Sequence, residues 1–130
     1  MKKLSVLFCL VLSLGVFAQT GDVSFKKTKH SFGKIKQNIP ATYIFTFTNT
    51  SAKPVVIEFA NAECGCTTPE YSKAPIVKGK SSTIKVTYNA ANPGAFKKNV
   101  NIKFAHATQP VVLTIDGEVE AARAGKTKTK

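Results

Sequence analysis

The sequence predicts an all-β sandwich of about seven antiparallel strands. Three observations point there. Apolar and polar residues alternate with period two in several short segments, the pattern of half-buried strands. Turn residues separate those segments, clearest in Asn49-Thr50-Ser51 and Asn92-Pro93-Gly94. No stretch after residue 18 carries helical periodicity.

The chain opens with Met1-Lys2-Lys3 and an apolar run from Leu4 to Phe17, closed by Val16-Phe17-Ala18. A positive start, a short apolar stretch and small residues at −3 and −1 read as a signal peptide, residues 1–18, cleaved before Gln19. The run is too short to span a bilayer, which needs ~20 apolar residues, so no transmembrane segment is expected after cleavage. The expected address is periplasmic or secreted. Bulky Phe8 precedes Cys9, unlike a lipid-attachment motif, so Cys9 is expected to leave with the signal.

Val23 and Phe25, then Phe32 and Ile35 split by Gly33, read as a broken first strand with a kink or bulge at the glycine. Such a strand would suit a switch between sheets. From Ala41 to Asn49, Tyr43, Phe45 and Phe47 face one way and Thr42, Thr46 and Thr48 the other, with Ile44 the exception. Asn49-Thr50-Ser51 also matches a glycosylation sequon, although turn chemistry accounts for it. Pro54 opens the next strand, with Val55, Ile57 and Phe59 inward and Glu58 outward. A long loop then runs through Glu63-Cys64-Gly65-Cys66-Thr67-Thr68-Pro69 to Lys80, and loops of that length are often functional. Alternation returns with Ile84, Val86 and Tyr88, then with Phe96, Val100, Ile102 and Phe104, where Lys98 intrudes on the apolar face. Val111, Leu113, Ile115 and Val119 form the last inner face, with a bulge expected at Gly117. The strand count and length suit an Ig-like sandwich over residues 19–120. An eight-stranded barrel is disfavoured because too few strands are visible.

Removing residues 1–18 leaves 112 residues with 17 Lys plus Arg against 7 acids, a net charge of +10. One ordinary domain accommodates that length. The lysines are dispersed and no basic run is interleaved with stacking aromatics, so nucleic acid is not an expected partner. Residues 121–130 form a basic tail without apolar anchors, expected to be disordered. No Gly-rich phosphate loop, Ser-His-Asp set or paired carboxylates is visible, so a binding role is expected rather than an enzyme.

The ordered series Phe32-Gly33 with Ile35, Phe45, Phe47 and Asn49, then Cys64-Gly65-Cys66-Thr67 with Pro69, Pro75-Ile76 and Gly79, ends with Gly94, Phe96, Lys98, Ile115, Gly117 and Val119. Over about residues 23–119 it resembles an uncharacterised family of secreted bacterial domains of unknown function, marked by a central Cys-Gly-Cys-Thr. That family is in turn similar to Ig-like domains of the major-sperm-protein and cilia-associated type. The resemblance implies a seven-stranded sandwich and a binding or assembly role, with an unknown protein or envelope component as partner. Glu63 stands where a small polar residue is commoner in the family.

Cys64 and Cys66 are the candidate site. As a disulfide they would close a tiny loop, stabilising little, with Gly65 supplying the backbone freedom such a ring needs. As a redox pair they would exchange with other thiols, although a carboxylate at Glu63 disfavours a neighbouring thiolate. As thiolates they suit Cu(I), whereas zinc wants four ligands and the chain offers only His30 and His106, both expected in surface loops. The sequence leaves these three readings open.

Overall fold

The computed structural model describes residues 21–122. The expected signal peptide (1–18), Cys9 and residues 123–130 of the expected tail lie outside them. Eight strands form: β1 (Val23–Phe25), β2 (Lys29–Lys36), β3 (Ala41–Asn49), β4 (Ile57–Ala62), β5 (Thr67–Tyr71), β6 (Ser81–Tyr88), β7 (Gly94–Phe104) and β8 (Val111–Glu120). They make the expected sandwich, with one four-stranded sheet ordered β1-β3-β6-β5 and a second ordered β2-β8-β7-β4. Inner faces of both sheets meet in a core centred on Phe45, Phe47, Ile84, Val100, Ile102 and Leu113, none more than 1% exposed.

The first strand does change sheets. β1 pairs antiparallel with β3, and β2 then pairs parallel with β8 in the other sheet. The sandwich of about seven antiparallel strands is thus present with eight strands, of which one pair, β2 and β8, is parallel. Parallel neighbours need a long connection, and here all of β3 to β7 intervenes, which period-two patterning cannot signal.

The other extra strand, β5, occupies part of the stretch expected to be loop. Pro69 made that stretch look irregular, but β5 is an edge, paired only with β6. The Asn89 N–H donates to the Cys66 carbonyl at 2.9 Å, which makes Thr67 and Tyr88 a non-hydrogen-bonded pair. By alternation Pro69 and Val86 are another, so the proline nitrogen points away from β6 and no ladder bond is lost.

β4 corrects a second expectation. Ile57 pairs with Phe104 and Phe59 with Lys103, so Glu58 is an extra residue and the side-chain phase flips there. Ile57 is buried at 1% exposure while Phe59 is turned outward at 39%, and Ala60 and Ala62 take the inner face. β3, β6, β7 and β8 keep the expected faces, including the outward exception Ile44, 53% exposed.

The kink or bulge expected at Gly33 is present in β2, whereas the one expected at Gly117 does not occur. Ser31 pairs with Asp116 and Lys34 with Glu118, placing the extra residue at Phe32-Gly33, and Gly33 has φ +67°. Gly117 keeps an unbroken register with Phe96. A Cβ on it would stand 2.8 Å from the Gly33 carbonyl oxygen and 3.0 Å from two Phe96 ring carbons. The glycine thus permits the close approach of β2 and the Phe96 ring. Gly117→Ala should destabilise by about 1–3 kcal/mol through overpacking. The shift in denaturant midpoint measures it, and an unchanged midpoint would refute the close approach.

Asn49 ends β3 as the hub of one end of the sandwich. It is fully buried at 0% exposure. Its Nδ2 donates to the carbonyls of Lys53 (2.7 Å) and Ile76 (2.8 Å), while Oδ1 accepts from the Ser51 N–H and hydroxyl, each at 2.8 Å. Its backbone accepts from Gly79 N and donates to Lys80 O. Turn chemistry therefore accounts for the residue, and a buried amide is closed to glycosylation in the folded chain. Two exposed ion pairs, Lys34–Glu120 and Lys85–Glu70, and a third, Lys103–Glu58, whose lysine is half-buried, bridge neighbouring strands and add little.

Candidate functional site

β4 ends one sheet and β5 begins the other, so residues 63–66 form a corner that crosses between sheets. Cys64 and Cys66 are joined there by a disulfide with Cα atoms 5.3 Å apart, an ordinary span. The sequence separation is 2, and a loop that small removes only about 1.5 kcal/mol of unfolded-chain entropy, against about 3 for a 15-residue loop. Both cysteines are half-buried. Cys66 packs against the hydrophobic core, and exposed Gly65 stands between them. Gly65 does not have a left-handed φ, and an added Cβ would meet nothing within 4 Å. The expectation that its special backbone freedom closes the ring is thereby corrected.

The corner is held from both sides by hydrogen bonds. Asn89 N–H donates to Cys66 O, and Thr67 N–H to Cys64 O at 3.3 Å. On the other flank Glu63 N–H donates to Asn99 O at 3.2 Å. The Glu63 carboxylate accepts in return from Asn99 Nδ2 (3.0 Å) and N–H (3.4 Å), and Asn99 Oδ1 accepts from the Thr114 hydroxyl at 2.8 Å. The carboxylate expected beside the thiols is thus engaged by the next strand. Thr67, 4% exposed, places Oγ1 3.9 Å from the Cys64 sulfur and 3.7 Å from that of Cys66. Thr67, Asn89 and Asn99 were not singled out as site residues from sequence. Only Thr67 carried a signal, as the last residue of Cys-Gly-Cys-Thr.

The histidines lie elsewhere. His106 is exposed in the β7–β8 turn, as expected. His30 is not in a loop but in β2, stacked on Tyr43 at 3.7 Å and edge-on to Phe32 at 4.8 Å. Burial first, then the charge of Lys27, lowers its pKa below the usual imidazole value, against an opposing pull from Asp116. Among the described residues no three or more His, Cys, Asp or Glu side chains are gathered as metal ligands, and no helix is long and apolar enough to cross a membrane.

A second feature sits at the opposite end, where Val23 pairs with Asn49 and Ile57 with Phe104. Two adjoining clefts of about 300 and 580 Å³ share Asp22 and His106 there. The first is walled by Val23, Phe104 and Val111, the second by Ser51, Lys53 and Pro54.

Residues 23–119 match the family model described as a protein of unknown function, DUF1573. No curated protein matches the chain in sequence. Among solved structures, a protein of unknown function from Porphyromonas gingivalis W83 is similar with TM-score 0.65 and 14% identity, over 83% of this chain and 51% of that one. The PapD-like domain 7 of human CEP192 gives TM-score 0.66 and 7% identity, over 78% of this chain and 87% of that domain. The Vibrio cholerae protease VesB gives 0.61 and 15%, over 78% of this chain and 32% of that one. The chain thus spans about half of the Porphyromonas protein and a third of the protease. At these identities the similarity establishes an Ig-like, PapD-like fold alone.

Proposed function

The chain belongs to the DUF1573 family of proteins of unknown function, and from that premise we propose that it is an exported, non-enzymatic module that binds another component of the cell envelope. The observation that carries this reading is the pair of clefts sharing Asp22 and His106. They are assembled from the start of β1, the β3–β4 loop and the β7–β8 turn on a rigid sandwich, the usual construction of a recognition surface. Export is supported by the Lys2-Lys3 start, the apolar run and Val16-Phe17-Ala18.

The sheet edges favour the loop end over strand addition as the contact surface. β1 has three residues, β5 carries Pro69, β4 is bulged at Glu58, and β2 is bulged and carries Lys29, Lys34 and Lys36. Each is a device that discourages edge pairing. A photo-crosslinking residue placed at exposed Thr108, beside the clefts, should trap one envelope component, competed by unlabelled domain. The same residue at Thr83, on the outer face of β6, should not. Equal adducts at both positions, none at Thr108, or turnover of a substrate by the purified domain would contradict the reading.

A further inference from the structure

We infer that Cys64 and Cys66 are a two-electron thiol–disulfide exchange site, in which Cys64 trades bonds with a partner dithiol and Cys66 leaves and re-closes. The site lies at the end opposite the clefts, since Thr67 pairs with Tyr88 and Tyr88 with Ala41, so it stands or falls independently of binding there.

The bond is redundant as a structural staple. Its loop is among the smallest a disulfide can close, and the corner is already fixed by the bonds from Asn89 to Cys66, Thr67 to Cys64 and Asn99 to Glu63. Opening it leaves those contacts in place. The two sulfurs are also unequal, because Cys66 packs against the core and Cys64 does not. Exposed Gly65 leaves the approach between them uncovered, although the oxidised backbone does not require a glycine. That open approach suits an incoming chain. The buried Thr67 hydroxyl lies near both sulfurs and can donate to a thiolate formed on either. Asn99 meanwhile engages the carboxylate of Glu63, the residue before Cys64.

In the reducing direction a thiolate of a partner dithiol attacks Cys64 Sγ. The S–S electron pair departs on Cys66 Sγ, which accepts the Thr67 O–H and then takes a proton. The partner's second thiolate attacks its own sulfur of the mixed disulfide and expels Cys64, which is protonated in turn. The chain gains two electrons and two protons, and the partner dithiol becomes a disulfide. Oxidation runs the same steps backwards.

The test equilibrates the full mature chain in reduced and oxidised glutathione of varied ratio, with thiol alkylation and intact mass as readout. The pair should reduce and reoxidise reversibly within the series, with the denaturation midpoint nearly unchanged. Cys66→Ser should accumulate a glutathione adduct on Cys64 at least about tenfold faster than Cys64→Ser does on Cys66, following access. Thr67→Val should move the pH profile of re-closure upward, a readout that a merely structural role would leave still. A pair that stays oxidised throughout, a sandwich that unfolds on reduction, or equal rates at the two sulfurs would overturn the assignment. So would free thiols that hold stoichiometric Cu(I) through desalting instead of exchanging.

Discussion

Replacing Asn49 with leucine is expected to cost about 3–4 kcal/mol of stability, although the two side chains are close in size. The substitution removes four side-chain hydrogen bonds in a fully buried setting, each worth about 1 kcal/mol net. Two carbonyls can still be satisfied, since Ile76 O also accepts from Val55 N, and the single Ser51 hydroxyl proton, released from Asn49, can turn to Lys53 O at 2.8 Å. That limits the loss from growing further. The Ser51 N–H is left without its acceptor. Because the same amide joins β3 to two loops, one of them lining a cleft, the change should also loosen the proposed recognition end. Urea unfolding followed by circular dichroism measures the first effect. A loss below about 1 kcal/mol would show that the loops hold themselves without Asn49.

Phe45→Ala is expected to cost about 3–5 kcal/mol, the usual effect of truncating a buried Phe and leaving a cavity. Phe45 is 1% exposed at the centre of β3 and meets the Tyr43 ring edge-on at 4.8 Å. Ile44→Thr, one residue away, should be close to neutral because Ile44 is on the solvent face. Equal effects at the two positions would mean that the phase of β3 is misassigned.

The legible part of the fold was the part written in period two. β3, β6, β7 and β8 each bury one face, so alternation revealed both their existence and their orientation. β5 was hidden because Pro69 reads as a breaker, and only the edge position of the strand makes it harmless. Alternation alone puts Phe59 inward, but one extra residue at Glu58 reverses every side chain after it, and no composition signal marks that insertion. Gly117 stands out in the sequence as a glycine within an apolar series, which suggests a bulge. A contact with Gly33, far away in the chain, demands it, and a local irregularity does not. His30 looked like a loop histidine because its partners, Tyr43 across the seam and Phe32, are brought together only by the sheet switch. At the candidate site the two cysteines were evident. The asymmetry between them was not, since it arises from core packing of Cys66 and from hydrogen bonds supplied by Asn89 and Asn99 on other strands.

Intact mass of the protein recovered from the periplasm or medium of cells expressing the full chain tests export and the joined cysteines together. The expected species begins at Gln19 and is two hydrogens lighter than the reduced mature chain, with no alkylation until reductant is added. A chain retaining residues 1–18 in the cytoplasm, with Cys64 and Cys66 both alkylated directly, would contradict an exported sandwich carrying an oxidised corner.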